Sequence, residues 1–101
     1  MEPRMHVLEE PTETIETAAC VYKGTVYTLP RPARHHTVMR HIWDTVNNDA
    51  FIGPAAQGFV TSRGRFVNRR RALRIVKAAG QPQIDHPALN VGGRLYSEDL
   101  W

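Results

Sequence analysis

The sequence predicts a small α+β domain, a small antiparallel β-sheet packed with two α-helices, in a chain that associates with further copies of itself. Three observations point there. Ile15–Tyr22 with Thr25–Leu29, and Gln57–Thr61 with Arg65–Val67, are β-forming stretches around the turns Lys23-Gly24 and Ser62-Arg63-Gly64, which reads as two hairpins. Residues 33–48 and 69–79 instead repeat apolar residues at helical spacing. Finally, 101 residues make one domain that buries only about 60–65% of its unfolded surface, so oligomerisation is a natural supplement.

Residues 1–14 mix acids, prolines and threonines without an apolar period and read as a loose acidic arm or short edge element ahead of a single domain, 15–101. Pro30-Arg31-Pro32 stops the first hairpin, and Val38, Met39, Ile42, Trp43 and Val46 then mark one face of the first helix. Asn47-Asn48-Asp49 and Gly53-Pro54 end it before the second hairpin. Asn68 occupies an N-cap position, Ala72, Leu73, Val76 and Ala79 form the stripe of the second helix, and Gly80 stops it. With that stripe on the sheet, Arg69, Arg70, Arg74 and Lys77 are expected on the flanks and solvent side as a basic ridge. Gln81–Gly93 reads as a long loop. Leu95-Tyr96 and Leu100-Trp101 predict a docked tail, on its own subunit or on a neighbour.

Charge narrows the partner classes. The net charge is only +3, but the acids Glu2, Glu9, Glu10, Glu13 and Glu16 crowd the start, and no acid occurs from Ala50 to Ile84. Arg63, Arg65, Arg69, Arg70, Arg71, Arg74 and Lys77 fall in that acid-free stretch, where arginine favours bidentate contact with phosphate or carboxylate. Nucleotides lead, although charge alone fits equally a solvated helix face neutralised by the acidic segment or by Glu98 and Asp99 of another subunit. The single Cys20 excludes a disulfide framework and a thiolate zinc site, and reads as a small buried strand residue in a reducing compartment. With no apolar run near the roughly 20 residues of a bilayer span and no signal-peptide core, the expected location is the cytoplasm, with no membrane partner.

Arg34, His35, His36, Arg40 and His41 form the densest polar cluster outside the second helix. The histidine spacing is wrong for shared coordination, so no metal is expected; these residues either flank the helix or, as Arg34, His35, His36 and Arg40, line a phosphate pocket. No nucleophile elbow, Walker glycine loop or zincin motif appears, and no enzyme activity or cofactor is expected. Phe59 and Phe66 are candidates to stack a base while Arg63 and Arg65 hold phosphate, but strand alternation gives at least one phenylalanine to the core. Thr61 and Asn68 are placed to read a base edge or ribose, Asn68 also being the cap.

Gln57-Gly-Phe-Val-Thr-Ser-Arg-Gly-Arg-Phe-Val-Asn-Arg, then Ala72, Ala79-Gly80-Gln81 and Leu95-Tyr-Ser-Glu-Asp-Leu-Trp101, resemble the first type of Thoeris anti-defence sponges, small phage proteins. The resemblance covers roughly residues 57–101. It implies an oligomeric α+β protein, a homodimer or hexamer, that sequesters cyclic ADP-ribose-type signals uncleaved, with cyclic di- or trinucleotides of CBASS immunity as possible second ligands. It also implies Phe59 and Phe66 for stacking, Thr61, Arg65 and Asn68 for polar contacts, and Arg94 with Ser97 for a C-terminal wall. The Arg69–Arg71 run is more basic than the family pattern and suits a more highly phosphorylated ligand. Sequestration needs ground-state binding without transition-state machinery, which fits the missing catalytic pair. Two other readings remain: a nucleic-acid-binding phage regulator, disfavoured because Leu73, Ile75 and Val76 leave little helix to read bases, and a protein-binding anti-defence inhibitor.

Overall fold

The computed structural model describes residues 12–84 and 93–101. Strand β1, Ile15–Tyr22, turns at Lys23-Gly24, both with positive φ, into β2, Thr25–Thr28. Helix α1, His35–Thr45, leads through a 3₁₀ turn at Pro54–Ala56 into β3, Gln57–Thr61, and β4, Phe66–Asn68, runs directly into α2, Arg69–Ala79. The four strands form one antiparallel sheet in the order β2-β1-β3-β4. Fold class and element order are those the sequence predicts. α1 is shorter at both ends than expected: Pro32 precedes a non-helical Arg34, the Thr37 hydroxyl accepts from the Arg34 N–H at 3.2 Å, and the polar run after Thr45 leaves the helix.

Both helices cover the same sheet face, in two patches of core. Ile15, Ala18, Phe59 and Val67 meet Ala72, Leu73 and Val76 of α2 and Leu95. Cys20 meets Val38 and Ile42 of α1 with Ala50 and Ile52. The apolar period of α1 overreaches: Trp43 and Val46 are exposed, and the Trp43 indole N–H donates to the Ala50 carbonyl at 2.8 Å. The opposite sheet face carries Val21, Val26, Val60 and Phe66, of which Val26 is exposed and the others are half-buried. At Gly58 a side chain would collide with the Val67 carbonyl and stand 2.6 Å from the Phe66 ring, so glycine is required for that ring to fold across the sheet.

Long-range polar contacts fasten the ends of the elements. The Gln81 amide, just past the Gly80 stop of α2, accepts from the Ile15 N–H at 2.8 Å and donates to its carbonyl at 2.9 Å, acting as a one-residue neighbour strand. Residues 93–101 dock on their own chain: Leu95 is fully buried and Trp101 closes over Phe59 edge-on at 6.4 Å. The Trp101 ring lies 4.5 Å from the Arg31 guanidinium, its indole N–H donates to the Ala33 carbonyl at 3.0 Å, and its own carbonyl accepts from Arg34 at 2.8 Å. Residues 85–92 of the expected long loop and 1–11 of the expected arm lie outside the described residues. Glu13 and Thr14 are not loose: Thr14 exchanges hydrogen bonds with Ser62, and Glu13 sits in the β3–β4 turn with a side chain only 9% exposed.

Candidate functional site

A cleft of about 410 Å³ opens where β4 becomes α2. Asn68, Arg69 and Arg70 form its floor, Arg94 one lip, and Pro54 with Ala55 an apolar shelf. The Asn68 carboxamide caps α2, accepting from the Arg71 N–H at 2.8 Å, as its sequence position predicts. The Leu95 N–H donates to the Arg69 carbonyl at 3.1 Å, which brings the neighbouring Arg94 beside the helix start. No lining residue named here is acidic, and the first turn of α2 holds three arginines and no acid. That inverts the usual pattern, since the positive end of a helix favours anions and disfavours cations. The cleft therefore joins a helix N-terminus to guanidinium groups, a combination suited to phosphate or carboxylate.

Arg69 departs from the expected solvent ridge. It lies three and four residues before Ala72 and Leu73 and so shares their face, which turns its side chain beneath the cleft. Its Nη2 donates to His35 Nδ1 at 3.2 Å and to Gln57 Oε1 at 3.0 Å, and its guanidinium stacks 4.6 Å from the Tyr96 ring. Burial lowers its pKa, an effect opposed by Tyr96 and Glu98, and its buried Nε–H meets no acceptor among the described residues. His35 is buried beneath it, with Nε2 2.6 Å from the Gly58 carbonyl and its ring edge-on to Phe59 at 4.9 Å. A guanidinium only donates and a carbonyl only accepts, so His35 is the neutral tautomer with its proton on Nε2. Burial holds its pKa down to about 4, against the usual 6.5.

The other residues singled out in the sequence fall elsewhere. Phe59 has no exposed surface and belongs to the core, so it offers no face for stacking, whereas Phe66 is half-buried on the far side of the sheet. Alternation decides this once the register is known, since Phe59 pairs with Val67 and Phe66 with Val60. Arg65 grips Glu13 through two hydrogen bonds of 2.7 Å, which, with Thr61 and Arg63, hold the Glu13 carboxyl down to about 2. Thr61 is buried in the same turn and its hydroxyl accepts from the Arg63 N–H, so it is turned from any ligand. Ser97 is fully buried and donates to Glu98 at 3.0 Å. The pocket expected from Arg34, His36 and Arg40 does not form: Arg34 is held at Trp101, while His36 and Arg40 are exposed on α1. Of the expected ligand residues the cleft brings together Asn68 and Arg94, and adds Pro54, Ala55, Arg69 and Arg70.

No curated protein and no solved structure matches the chain. A family model, described as the phage T4 y16D protein, matches residues 14–101, the span from Thr14 through both hairpins, both helices and the docked tail. The chain therefore belongs to the phage T4 y16D protein family.

Proposed function

We propose that this phage protein is an anti-defence sponge that binds a cyclic nucleotide immune signal in the α2 cleft and withholds it uncleaved, glycocyclic ADP-ribose of Thoeris being the first ligand to test and the cyclic di- and trinucleotides of CBASS the next. The observation that carries this reading is the reversed charge at the start of α2. Arg69, Arg70 and Arg94 converge on a positive helix end with no acid among the lining residues, next to an apolar shelf at Pro54 and Ala55. An ADP-ribose-type ligand has the matching parts, a pyrophosphate for the guanidinium groups and a purine for the shelf. The cleft volume is in the range of small-molecule sites. Capture needs only ground-state affinity, and nothing in the reading asks a residue to transfer a proton or attack a bond.

The test mixes purified protein with cyclic ADP-ribose isomers and cyclic di- and trinucleotides, removes unbound ligand, heat-denatures the protein and separates the supernatant by chromatography. Intact ligand released only on heating is expected. R94A should weaken capture tenfold or more, about the 1.4 kcal/mol of one charge-assisted contact, with the fold retained by circular dichroism. A chemically altered ligand would instead identify an enzyme, and no depletion of any compound would remove the sponge reading.

A further inference from the structure

Beyond the cleft, α2 carries a second basic feature, which shares only Arg70 with the cleft. Arg70, Arg71, Arg74 and Lys77 are exposed along its outer side, and none has an acidic partner among the described residues. At 3.6 residues per turn and 1.5 Å per residue, Arg70, Arg74 and Lys77 fall within about 60° of one another around the helix and over about 10 Å along it, with Arg71 flanking. Like charges three and four residues apart weaken a helix, so this row has a cost in the isolated protein. The composition of the row separates the two classes of polyanion that would relieve it. A protein interface needs an apolar or aromatic anchor at its centre, and between these cations the exposed side offers only Ala78. A nucleic-acid backbone needs only the cations.

We propose that the outer side of α2 is a surface for duplex nucleic acid, contacting the phosphate backbone without reading sequence. Leu73 and Val76 are committed to the core, which holds the helix against the sheet and leaves only its cationic outer side to meet the duplex, so it lies along the backbone and does not enter a groove. Duplex is favoured over a single strand because its phosphates present about twice the charge per unit length.

The experiment measures binding of the full chain to a fluorescent DNA duplex by anisotropy across salt concentrations, beside the triple variant R71Q/R74Q/K77Q, which leaves the cleft residues in place. Four phosphate contacts predict a roughly 100-fold loss of affinity between about 50 and about 200 mM salt, independent of sequence. The triple variant should bind at least tenfold more weakly at the lower salt, and its log–log salt slope should be smaller by about 3. Its heat-release capture of cyclic nucleotides should be unchanged, which separates this surface from the cleft. No binding at about 50 mM salt, or equal binding by the triple variant, overturns the proposal. Tighter binding of polyglutamate than of the duplex at equal charge also overturns it and would point to an acidic protein.

Discussion

His35 couples a proton to the architecture through two bonds that require opposite roles of its ring nitrogens. Protonation of Nδ1 turns the Arg69 contact from a hydrogen bond into a repulsion inside the core. With its pKa lowered to about 4 from 6.5, the unfolded chain binds this proton more tightly. The contribution is fully present above pH 6.5 and is lost as pH falls through the folded value, reaching about 3 kcal/mol below pH 4. Urea midpoints at neutral pH and near pH 4.5 should show the drop. H35Q, whose amide donates to Gly58 and accepts from Arg69, should flatten it. The Glu13 carboxyl, held at about 2, titrates lower and stabilises above its usual 4.5, so its loss follows at more acidic pH. What the sequence shows at this scale depends on how far each partner is. The Asn68 cap and the Gly80 stop are local and legible, whereas Arg69, expected on the solvent ridge, turns inward on the face it shares with Ala72 and Leu73. Burial of His35 and Phe59 depends on Gly58, Arg69, Ala18 and Trp101, 23 to 42 positions away, which no local pattern encodes.

Among the elements, α2 stands apart because its local electrostatics oppose its own stability. Three arginines at its positive end and a cationic row on its side are what a helix selected only for stability would lack. R70Q should therefore act with opposite signs on stability and binding. Removing a cation from the helix start should stabilise the unliganded protein by about 0.3–1 kcal/mol, raising Tm by a few degrees in a calorimetric scan. The same substitution should weaken ligand capture tenfold or more. A fall in both would show that Arg70 is structural. The cleft itself was only half legible: the arginines of α2 and Asn68 stand out in the acid-free stretch and Arg94 follows from the family resemblance, but the Pro54–Ala55 shelf reaches α2 only through the crossing from α1 to β3, which is a property of the topology.

At the scale of the molecule, residues 93–101 make the cleft depend on contacts far from it. Arg94 is exposed at the lip, and what fixes its segment is buried Leu95, the Leu95–Arg69 backbone bond and the Trp101 clasp on Arg31, Ala33, Arg34 and Phe59. W101A should destabilise the protein by about 3 kcal/mol, the cost of deleting a large packed aromatic. It should also loosen the segment, so that limited trypsin digestion cuts after Arg94 much faster than in the parent chain, and ligand capture should fall although Trp101 lies outside the cleft. Unchanged cleavage would mean that Leu95 alone holds the segment. The docked tail was legible from its large apolar residues; its seat on the same chain became visible only when the sheet was assembled.

Cys20 gives this molecule a clock. It is the single thiol, fully buried on the central strand β1, and burial pushes its pKa up to about 11, so an alkylating reagent reaches a reactive thiolate only when the sheet opens. The alkylation rate then counts openings. Any compound held by the closed protein slows that count in proportion to its occupancy, so unmodified protein can rank candidate signals by mass spectrometry without labelling a ligand or altering a residue.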